Sequence, residues 1–356
     1  MRDHWRRARR ILPYVATAWG AAAVIASRLS GLRAGPLTVY DLLASVLCAL
    51  VIGFAMSWFE TRPVRAGYVN RFPWLDLALR TTLYVATVAL ATVLMREVLL
   101  ASFPDDPLAT DGPGFAELLV DRRTRRFLFL LLLASLALNF VLHVRLAVGG
   151  HHLRALFTGK YRLPVEEERA FLFVDLVDST AIAQRVGALE FTHFKHDFFS
   201  DLATPLERTD GTIVQYVGDE VMLTWRTRDL GAERSPLRFV KLARARLGRR
   251  RGYYEGRYGA MPAFRCGIHA GAVIVAEVGD SRRDIVYSGD VVNAAARLLQ
   301  SCRPEGCEAL ASAEALALLP LPEGVRTRDR PPLKLRGRSE GLAVVEIAFA
   351  PAALGA

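Results

Sequence analysis

The sequence predicts two parts of different fold class, an α-helical membrane domain followed by an α+β sandwich domain. The first part is indicated by a hydrophobic content of 52% and a mean hydropathy of +0.22, which are high for a soluble chain. Four long apolar runs account for much of that hydropathy and all lie in the first half. The second part is indicated by a change of composition after Gly149, beyond which strand-like and helix-like patterns alternate.

The four apolar runs cover residues 11–27, 37–59, 75–100 and 127–144. Each has about 17–25 residues, the length that a helix needs to cross the hydrocarbon layer. Four spans place both termini on the same side of the membrane. Basic residues before the first run, after the second and after the fourth predict that this side is the cytoplasm. We therefore expect a multi-pass protein of the inner or plasma membrane, with the lipid bilayer as partner and the second domain cytoplasmic.

One basic cluster disagrees with this topology. Arg122, Arg123, Arg125 and Arg126 would face outward if all four runs cross the membrane. The segment around them is then an interfacial helix, or the number of spans differs from four. The sequence leaves both interpretations open.

Charge and cysteine content exclude two further classes of protein. The formal net charge is +10, but many of the basic residues flank apolar runs, which is typical of membrane topology and not of a nucleic-acid-binding face. We expect no nucleic-acid partner. The four cysteines are too few and too scattered for a disulfide framework, and Cys302 and Cys307 have no neighbouring His or Cys for a zinc site.

The predicted domain boundaries follow the composition. Residues 1–148 form the membrane domain with about four transmembrane helices, 149–169 a cytoplasmic linker and 170–350 the soluble domain. Within the soluble domain we expect strands at 171–176, 213–217, 221–225, 264–269, 272–277, 333–335 and 342–347. Helices are expected after the first strand and at 237–254 and 290–302.

Two carboxylates stand out. Asp175 ends an apolar strand, and Asp219 lies at a hairpin tip. If the strand and the hairpin are neighbours, both meet at one sheet edge, where hard oxygen ligands suit Mg²⁺ or Mn²⁺. The turn before Ser179 and Thr180 opens a helix whose N-terminus favours a phosphate. Either feature alone is equally well explained by an ordinary turn or an N-cap.

A second pair is Asn293 and Arg297, on the helix predicted at 290–302. A spacing of four residues puts both side chains on one helical face. An amide and a guanidinium directed together could orient a ribose and stabilise a phosphoryl transition state. By itself, the motif is better explained as a surface Asn and a salt-bridged Arg.

Four segments occur in the order of a known family: 171–180 (FLFVDLVDST), 213–225 (IVQYVGDEVMLTW), 264–271 (FRCGIHAG) and 285–298 (IVYSGDVVNAAARL). Together they resemble the class III adenylate/guanylate cyclase catalytic domain over half of the chain. The resemblance implies a ferredoxin-like α+β fold and the conversion of ATP into 3′,5′-cyclic AMP and pyrophosphate.

The resemblance also implies roles for individual residues. Asp175 and Asp219, with the backbone carbonyl of Leu176, would hold two Mg²⁺ or Mn²⁺ ions per site. Asn293 would position the ribose, and Arg297 would stabilise charge on the attacked phosphate. Arg338 stands where the family usually has a triphosphate-binding lysine. In the family the two sets of residues meet across a head-to-tail dimer, which implies a homodimer formed through the catalytic domain.

The sequence departs from the family at the base pocket. Gln215 stands where adenylate cyclases commonly have lysine, and Val286 where they have Asp, Thr or Ser. Gln215 can donate and accept hydrogen bonds, whereas Val286 can do neither. We favour ATP, with a guanylate cyclase or a catalytically silent, nucleotide-sensing membrane receptor as alternatives. A diguanylate cyclase is disfavoured because Val217 replaces the first glycine of its hairpin motif.

Overall fold

The computed structural model describes residues 150–280, 283–333 and 341–349, together with isolated positions between 82 and 144. The chain divides into two units, Met1–Leu153 and Arg154–Ala356. Within the described residues, no helix combines the length and apolarity that crossing a membrane requires. The four apolar runs lie largely outside the described residues, so the membrane domain stays a prediction.

The described part of the second unit is an α+β domain. Its helices are α1 (Gly150–Thr158), α2 (Ser179–Val186), α3 (Ala188–Arg208), α4 (Pro236–Arg249), α5 (Arg251–Tyr258), α6 (Asp290–Cys302) and α7 (Ala313–Leu318). Its strands are β1 (Val165–Leu176), β2 (Thr212–Val217), β3 (Glu220–Arg226), β4 (Phe264–Val278), β5 (Asp284–Ser288), β6 (Ala309–Ser312), β7 (Val325–Leu333) and β8 (Leu342–Phe349). The predicted α+β class is confirmed.

The strands form one mixed sheet in the order β2-β3-β1-β4-β6-β8-β7, and β5 pairs with the far end of β4. The two central strands, β1 and β4, are antiparallel along the whole length of β1. Both are long runs of buried residues because helices cover the two faces of the sheet. The core of one face is built from α3, α4 and α5, and that of the other from α6.

Two predicted elements differ from the structure. The sequence predicted separate strands at 264–269 and 272–277, but β4 is one continuous strand of 15 residues. It remains extended through Gly271 because it pairs with β1 on one edge and with β5 and β6 on the other. The segment assigned to the linker contains α1 and the first five residues of β1, where charged side chains conceal the strand pattern.

Gly267 explains how closely α6 packs on β4. A Cβ at this position would lie 2.2 Å from the backbone nitrogen of Leu299 and 2.4 Å from the carbonyl oxygen of Ala295. A side chain of any size would therefore push the helix away from the strand. The contact fixes the height of α6 above the sheet, and with it the position of the polar residues on the outer face of the helix.

The described cysteines take no part in disulfides. Cys266, Cys302 and Cys307 are buried free thiols, and the Sγ of Cys302 donates to the carbonyl oxygen of Cys266 at 3.3 Å. Burial raises the pKa of the Cys266 thiol to about 12. These side chains pack as small hydrophobic groups.

Candidate active site

Asp175 lies near the end of β1, after six buried residues, and is itself half-buried. Side chains alternate along a strand, so Asp175 shares the face of Phe171 and Phe173, which belong to the core beneath α6. Its cross-strand neighbours are Glu220 on β3 and Arg265 on β4. The last residues of β1 thus place a carboxylate between another carboxylate and a guanidinium.

Asp219 lies in the two-residue turn of the β2–β3 hairpin, as predicted from the sequence. Gly218, with φ +64°, supplies the left-handed conformation that such a turn requires. The hairpin packs on α3 through Tyr216, whose ring lies 4.8 Å from that of Phe199. Because Glu220 pairs directly with Asp175, the preceding Asp219 is brought to the same edge of the sheet.

Electrostatics show that the carboxylates are close together. Burial raises the pKa of Asp175, and the charge of Asp219 raises it further. A hydrogen bond from the Leu176 backbone and the charge of Arg265 act in the opposite direction but do not cancel the increase. Burial also raises the pKa of Glu220, with the charges of Asp175 and Asp219 adding to the effect. This edge of the sheet therefore carries an excess of negative charge.

The donor set fits a hard divalent cation that is shared with a phosphate. In the described residues, no group of three or more His, Cys, Asp or Glu is arranged to hold a metal ion. Two carboxylates are still sufficient for Mg²⁺, which usually keeps water and substrate phosphate oxygens as its remaining ligands. The mutual repulsion of Asp175, Asp219 and Glu220 is what such a cation would relieve.

Helix α2 begins four residues after Asp175, at Ser179. The backbone N–H of Val177 donates to the carbonyl oxygen of Ala263 at 2.8 Å, which holds the turn against the residue that precedes β4. Asp178 adopts the left-handed conformation, φ 54°, and α2 then starts at Ser179. Ser179 is half-buried and Thr180 is exposed. The positive end of the helix dipole lies next to the carboxylates in sequence, as expected for a phosphate-binding turn.

Asn293 and Arg297 lie on the outer face of α6. Ala294, Ala295, Leu298 and Leu299 form its buried side, whereas Asn293 and Arg297 are exposed. The Arg297 guanidinium donates to Gln300 Oε1 at 3.0 Å, within the same helix. Among the hydrogen bonds and ion pairs of the described residues, none joins Asn293 or Arg297 to Asp175 or Asp219. The chain therefore brings the two carboxylates together and leaves the Asn/Arg pair facing outward.

The residues predicted for the base pocket lie on two separate strands. Gln215 is exposed on β2, beside an irregularity of the β2–β3 register between Ile213 and Gln215. Val286 is exposed on β5, opposite Ala276 of β4. Arg338 lies outside the described residues, so its predicted contact with triphosphate stays a prediction.

Two charged residues at this edge were not anticipated from the sequence. Glu220 was overlooked because it follows Asp219 in a hairpin and resembles an ordinary turn residue. Arg265 was overlooked because only strand pairing brings it beside Asp175. For Glu220 the alternation of β3 was an available signal, since residues 220, 222 and 224 share a face. No local signal in the sequence could have identified Arg265 as a neighbour of Asp175.

The chain is similar to known proteins of one family. The family of the adenylate and guanylate cyclase catalytic domain matches residues 164–345. Adenylate cyclase 2 of Rhizobium meliloti (strain 1021) is 36% identical over 208 residues, which are 58% of this chain and 57% of that protein. The adenylate cyclase of Anabaena cylindrica is 25% identical over 181 residues, 49% of this chain and 36% of that protein.

Among solved structures, the adenylyl cyclase CyaB from P. aeruginosa is 21% identical, with a TM-score of 0.45, and the match covers 54% of this chain and all of that one. The match covers 57% of the length of the first curated relative and 36% of the length of the second. The family match covers half of the chain, from the start of β1 into β8. The chain belongs to the class III adenylate/guanylate cyclase family.

Proposed function

We propose that this protein is an adenylate cyclase that converts ATP into 3′,5′-cyclic AMP and pyrophosphate. The observation that carries the proposal is the pairing of Asp175 with the hairpin that presents Asp219. The names of the curated relatives, both adenylate cyclases, support ATP as the substrate. In the reaction the ribose 3′-oxygen attacks the α-phosphorus, the bond to the bridging oxygen breaks, and pyrophosphate leaves with the electron pair.

In this proposal Asp175 and Asp219 would hold two Mg²⁺ or Mn²⁺ ions, with the carbonyl oxygen of Leu176 as a further ligand. A bound cation of this kind lowers the pKa of the 3′-hydroxyl and neutralises charge on the triphosphate. Ser179 and Thr180, at the start of α2, provide backbone N–H groups for phosphate oxygens. Arg338 supplies a guanidinium that can bind the triphosphate in a bidentate manner.

Asn293 and Arg297 act from a second copy of the chain. Their side chains are exposed on α6, and no hydrogen bond or ion pair of the described residues joins them to the carboxylates of their own domain, so a partner chain would complete the site. Asn293 then orients the ribose, and Arg297 stabilises the charge that develops on the α-phosphate. The exposed apolar hairpin residues Tyr216 and Val217 are available to the same interface. A symmetric homodimer would contain two equivalent sites.

Selectivity between ATP and GTP is the least constrained part of the proposal. Gln215 offers both a donor and an acceptor to a base, and Val286 offers neither. A guanylate cyclase is the second candidate because no charged residue stands at either position to specify adenine. The membrane domain, 1–148, would anchor the catalytic domain to the cytoplasmic side of the inner or plasma membrane and couple it to a signal.

The test is a product assay on the purified full-length chain. Incubation with ATP and Mn²⁺ should yield cyclic AMP and pyrophosphate in equal amounts, identified by mass, and GTP should yield less product. Cyclic GMP as the main product would favour the second candidate. Nucleotide binding without turnover of either substrate would indicate a silent sensor. Reporter fusions at positions 30, 70, 110 and 150, reading outside, inside, outside and inside, would support the topology.

A further inference from the structure

A buried charged cluster lies on β1, at the opposite end from Asp175. The cluster, called here the Glu167 cluster, consists of Lys160, Tyr161, Glu167, Arg169 and Arg226. Arg169 is only 1% exposed and is among the largest fully buried side chains of the described residues. Nothing in the catalytic proposal uses these residues. Burying a charged arginine costs free energy unless the charge is paired. The groups that contact Arg169 therefore indicate its role.

A single carboxylate binds the cations of the cluster. Glu167 Oε2 accepts a hydrogen bond from Arg169 Nε at 2.8 Å and lies 3.7 Å from Arg226 Nε. Its other oxygen, Oε1, accepts from Tyr161 at 3.1 Å and also from Lys160. Tyr161 in turn accepts from Arg226 Nη2 at 3.4 Å. Removal of the Glu167 charge would take away the carboxylate that Lys160, Arg169 and Arg226 all contact.

The two arginines are directly opposite each other on β1 and β3. Like charges in this cross-strand position repel and oppose the pairing of the strands. Arg169 Nη2, Arg226 Nε and the Tyr287 hydroxyl are also buried without a hydrogen-bond partner. Glu167 therefore stabilises an arrangement that repulsion and unpartnered polar atoms disfavour. The positions of the two arginines consequently depend on the Glu167 carboxylate.

The other end of the same strand pair carries Asp175, and Asp219 lies in the turn just before β3. The β1–β3 register runs without interruption from Arg169 opposite Arg226 to Asp175 opposite Glu220. The apolar pairs between these ends, such as Phe173 with Met222, would tolerate a slip of two residues, because such a slip keeps each side chain on its face. The Glu167 cluster would not tolerate it, since its charges would no longer meet.

The cluster also joins the strands to the segment that precedes the domain. Lys160 and Tyr161 belong to the turn between α1 and β1. Tyr161 is buried, and its carbonyl oxygen accepts a hydrogen bond from the backbone N–H of Glu277 on β4 at 2.7 Å. The turn is thus fixed to β1, β3 and β4 at one point. The position of α1 and the register of the catalytic strands depend on the same contacts.

We propose that Glu167 is a positioning residue: it locks the β1–β3 register and so sets Asp175 against Asp219 for cation binding. The inference rests on the proposed function, in which those two aspartates hold the cations. Glu167 lies eight residues before Asp175 on β1, which is about 26 Å at roughly 3.3 Å per residue along the strand. It acts through the strand pair and does not touch the substrate.

The test compares Glu167→Gln with Glu166→Gln in the full-length chain. Glu166 is the neighbouring residue on the other face and is exposed, so it is a matched control. The affinity for Mn²⁺ is measured without nucleotide. The decrease in the EPR signal of the free ion reports how much Mn²⁺ is bound. The double variant Asp175→Asn/Asp219→Asn defines the background. We expect Glu167→Gln to bind Mn²⁺ about fivefold more weakly, the range of coupling energies transmitted between distant sites, and Glu166→Gln to bind normally.

Rescue separates positioning from general destabilisation. Adding Arg226→Gln to Glu167→Gln removes the cross-strand repulsion and should restore most of the Mn²⁺ affinity. If Glu167→Gln does not fold, the same Mn²⁺ measurement is made on Tyr161→Phe, which loses only the hydroxyl that donates to Glu167. Unchanged Mn²⁺ binding in the folded variant, or no rescue in the double variant, would overturn the inference. A wild-type chain that binds Mn²⁺ but forms no cyclic nucleotide would instead contradict the proposed function.

Discussion

Gly267 of β4 and Leu299 of α6 approach so closely that a Cβ on Gly267 would lie 2.2 Å from the Leu299 backbone nitrogen. This contact seats the helix that carries Asn293 and Arg297. Because the obstacle is backbone on both sides, no side-chain rotation can relieve a clash. The packing of one glycine therefore determines where the outer face of α6 lies relative to the sheet.

Gly267→Ala should destabilise the domain and reduce turnover. Overpacking of a well-packed core typically costs about 1–3 kcal/mol, and the displaced α6 would misplace Asn293 and Arg297. The matched control is Gly271→Ala, whose Cβ would lie 3.6 Å from Val291 Cγ2, an ordinary contact. Thermal unfolding and cyclase assays of both variants give the comparison. Equal stability of the two variants would show that α6 can shift without cost.

Asp175→Asn or Asp219→Asn should nearly abolish cyclisation and leave the fold intact. Each substitution keeps the shape of the side chain but removes a charge that serves the cation. Relief of carboxylate repulsion should leave thermal stability equal or slightly higher, because the charge of Asp219 raises the pKa of Asp175. Asp229→Asn, an exposed residue in the turn after β3, is the control. Near-normal turnover by either folded site variant would contradict the cation-binding assignment.

Arg297→Ala should be almost inactive alone, since an arginine that stabilises phosphoryl charge can contribute on the order of 10³-fold in rate. Mixing Arg297→Ala chains with Asp175→Ala chains should restore partial activity, because one site of the mixed dimer receives only intact residues. Size-exclusion or cross-linking measurements must show that mixed dimers form. Mixed dimers without any recovery would exclude a site shared between chains.

The full-length chain should prefer ATP over GTP by a modest factor in kcat/KM. A lost hydrogen-bond partner at a specifying position typically costs about 1–3 kcal/mol of discrimination, and Val286 cannot provide one. Val286→Asp, which restores a hydrogen-bonding group of the family, should increase the preference for ATP. Steady-state kinetics with both nucleotides measure the ratio. A GTP value equal to or above that of ATP would reverse the substrate assignment.

The acid stability of the domain should depend on Glu167. Burial alone would raise the pKa of this carboxyl, but the hydrogen bond from Lys160 and the charge and hydrogen bond of Arg169 outweigh it and lower the pKa to about 2 from 4.5. A lowered pKa contributes stability that is complete above pH 4.5 and is lost as the pH falls towards about 2. Glu167→Gln should be less stable than the wild type at pH 7 by about 2 kcal/mol, the usual contribution of hydrogen bonds to a charged group.

This stability difference should shrink as the pH falls below 4.5, because the wild-type carboxyl then loses its charge as well. Thermal unfolding of both chains between pH 7 and pH 3 measures the difference. Glu166→Gln, the exposed neighbour, should show no such trend. A constant difference across this range would mean that Glu167 acts through its shape and not through its charge.

The sequence by itself determined the local features of this protein. The helix Asp290–Cys302 and the hairpin around Gly218 were predicted correctly, because periodicity and turn chemistry are properties of neighbouring residues. Asp175 and Asp219 were identified for the same reason, since one ends an apolar strand and the other lies in a turn. The family followed from the order of four short motifs, each of which is also local.

Only the tertiary structure decided which distant residues meet. The pairing of β1 with β3 and β4 brings Glu220 and Arg265 beside Asp175 and joins Arg169, Glu167 and Arg226 in one cluster. The charged residues at the start of β1 resemble a linker, and Gly271 resembles a break between two strands. Both segments are extended because of partner strands that lie far away in sequence. Strand pairing is a long-range property, and the local pattern of residues does not contain it.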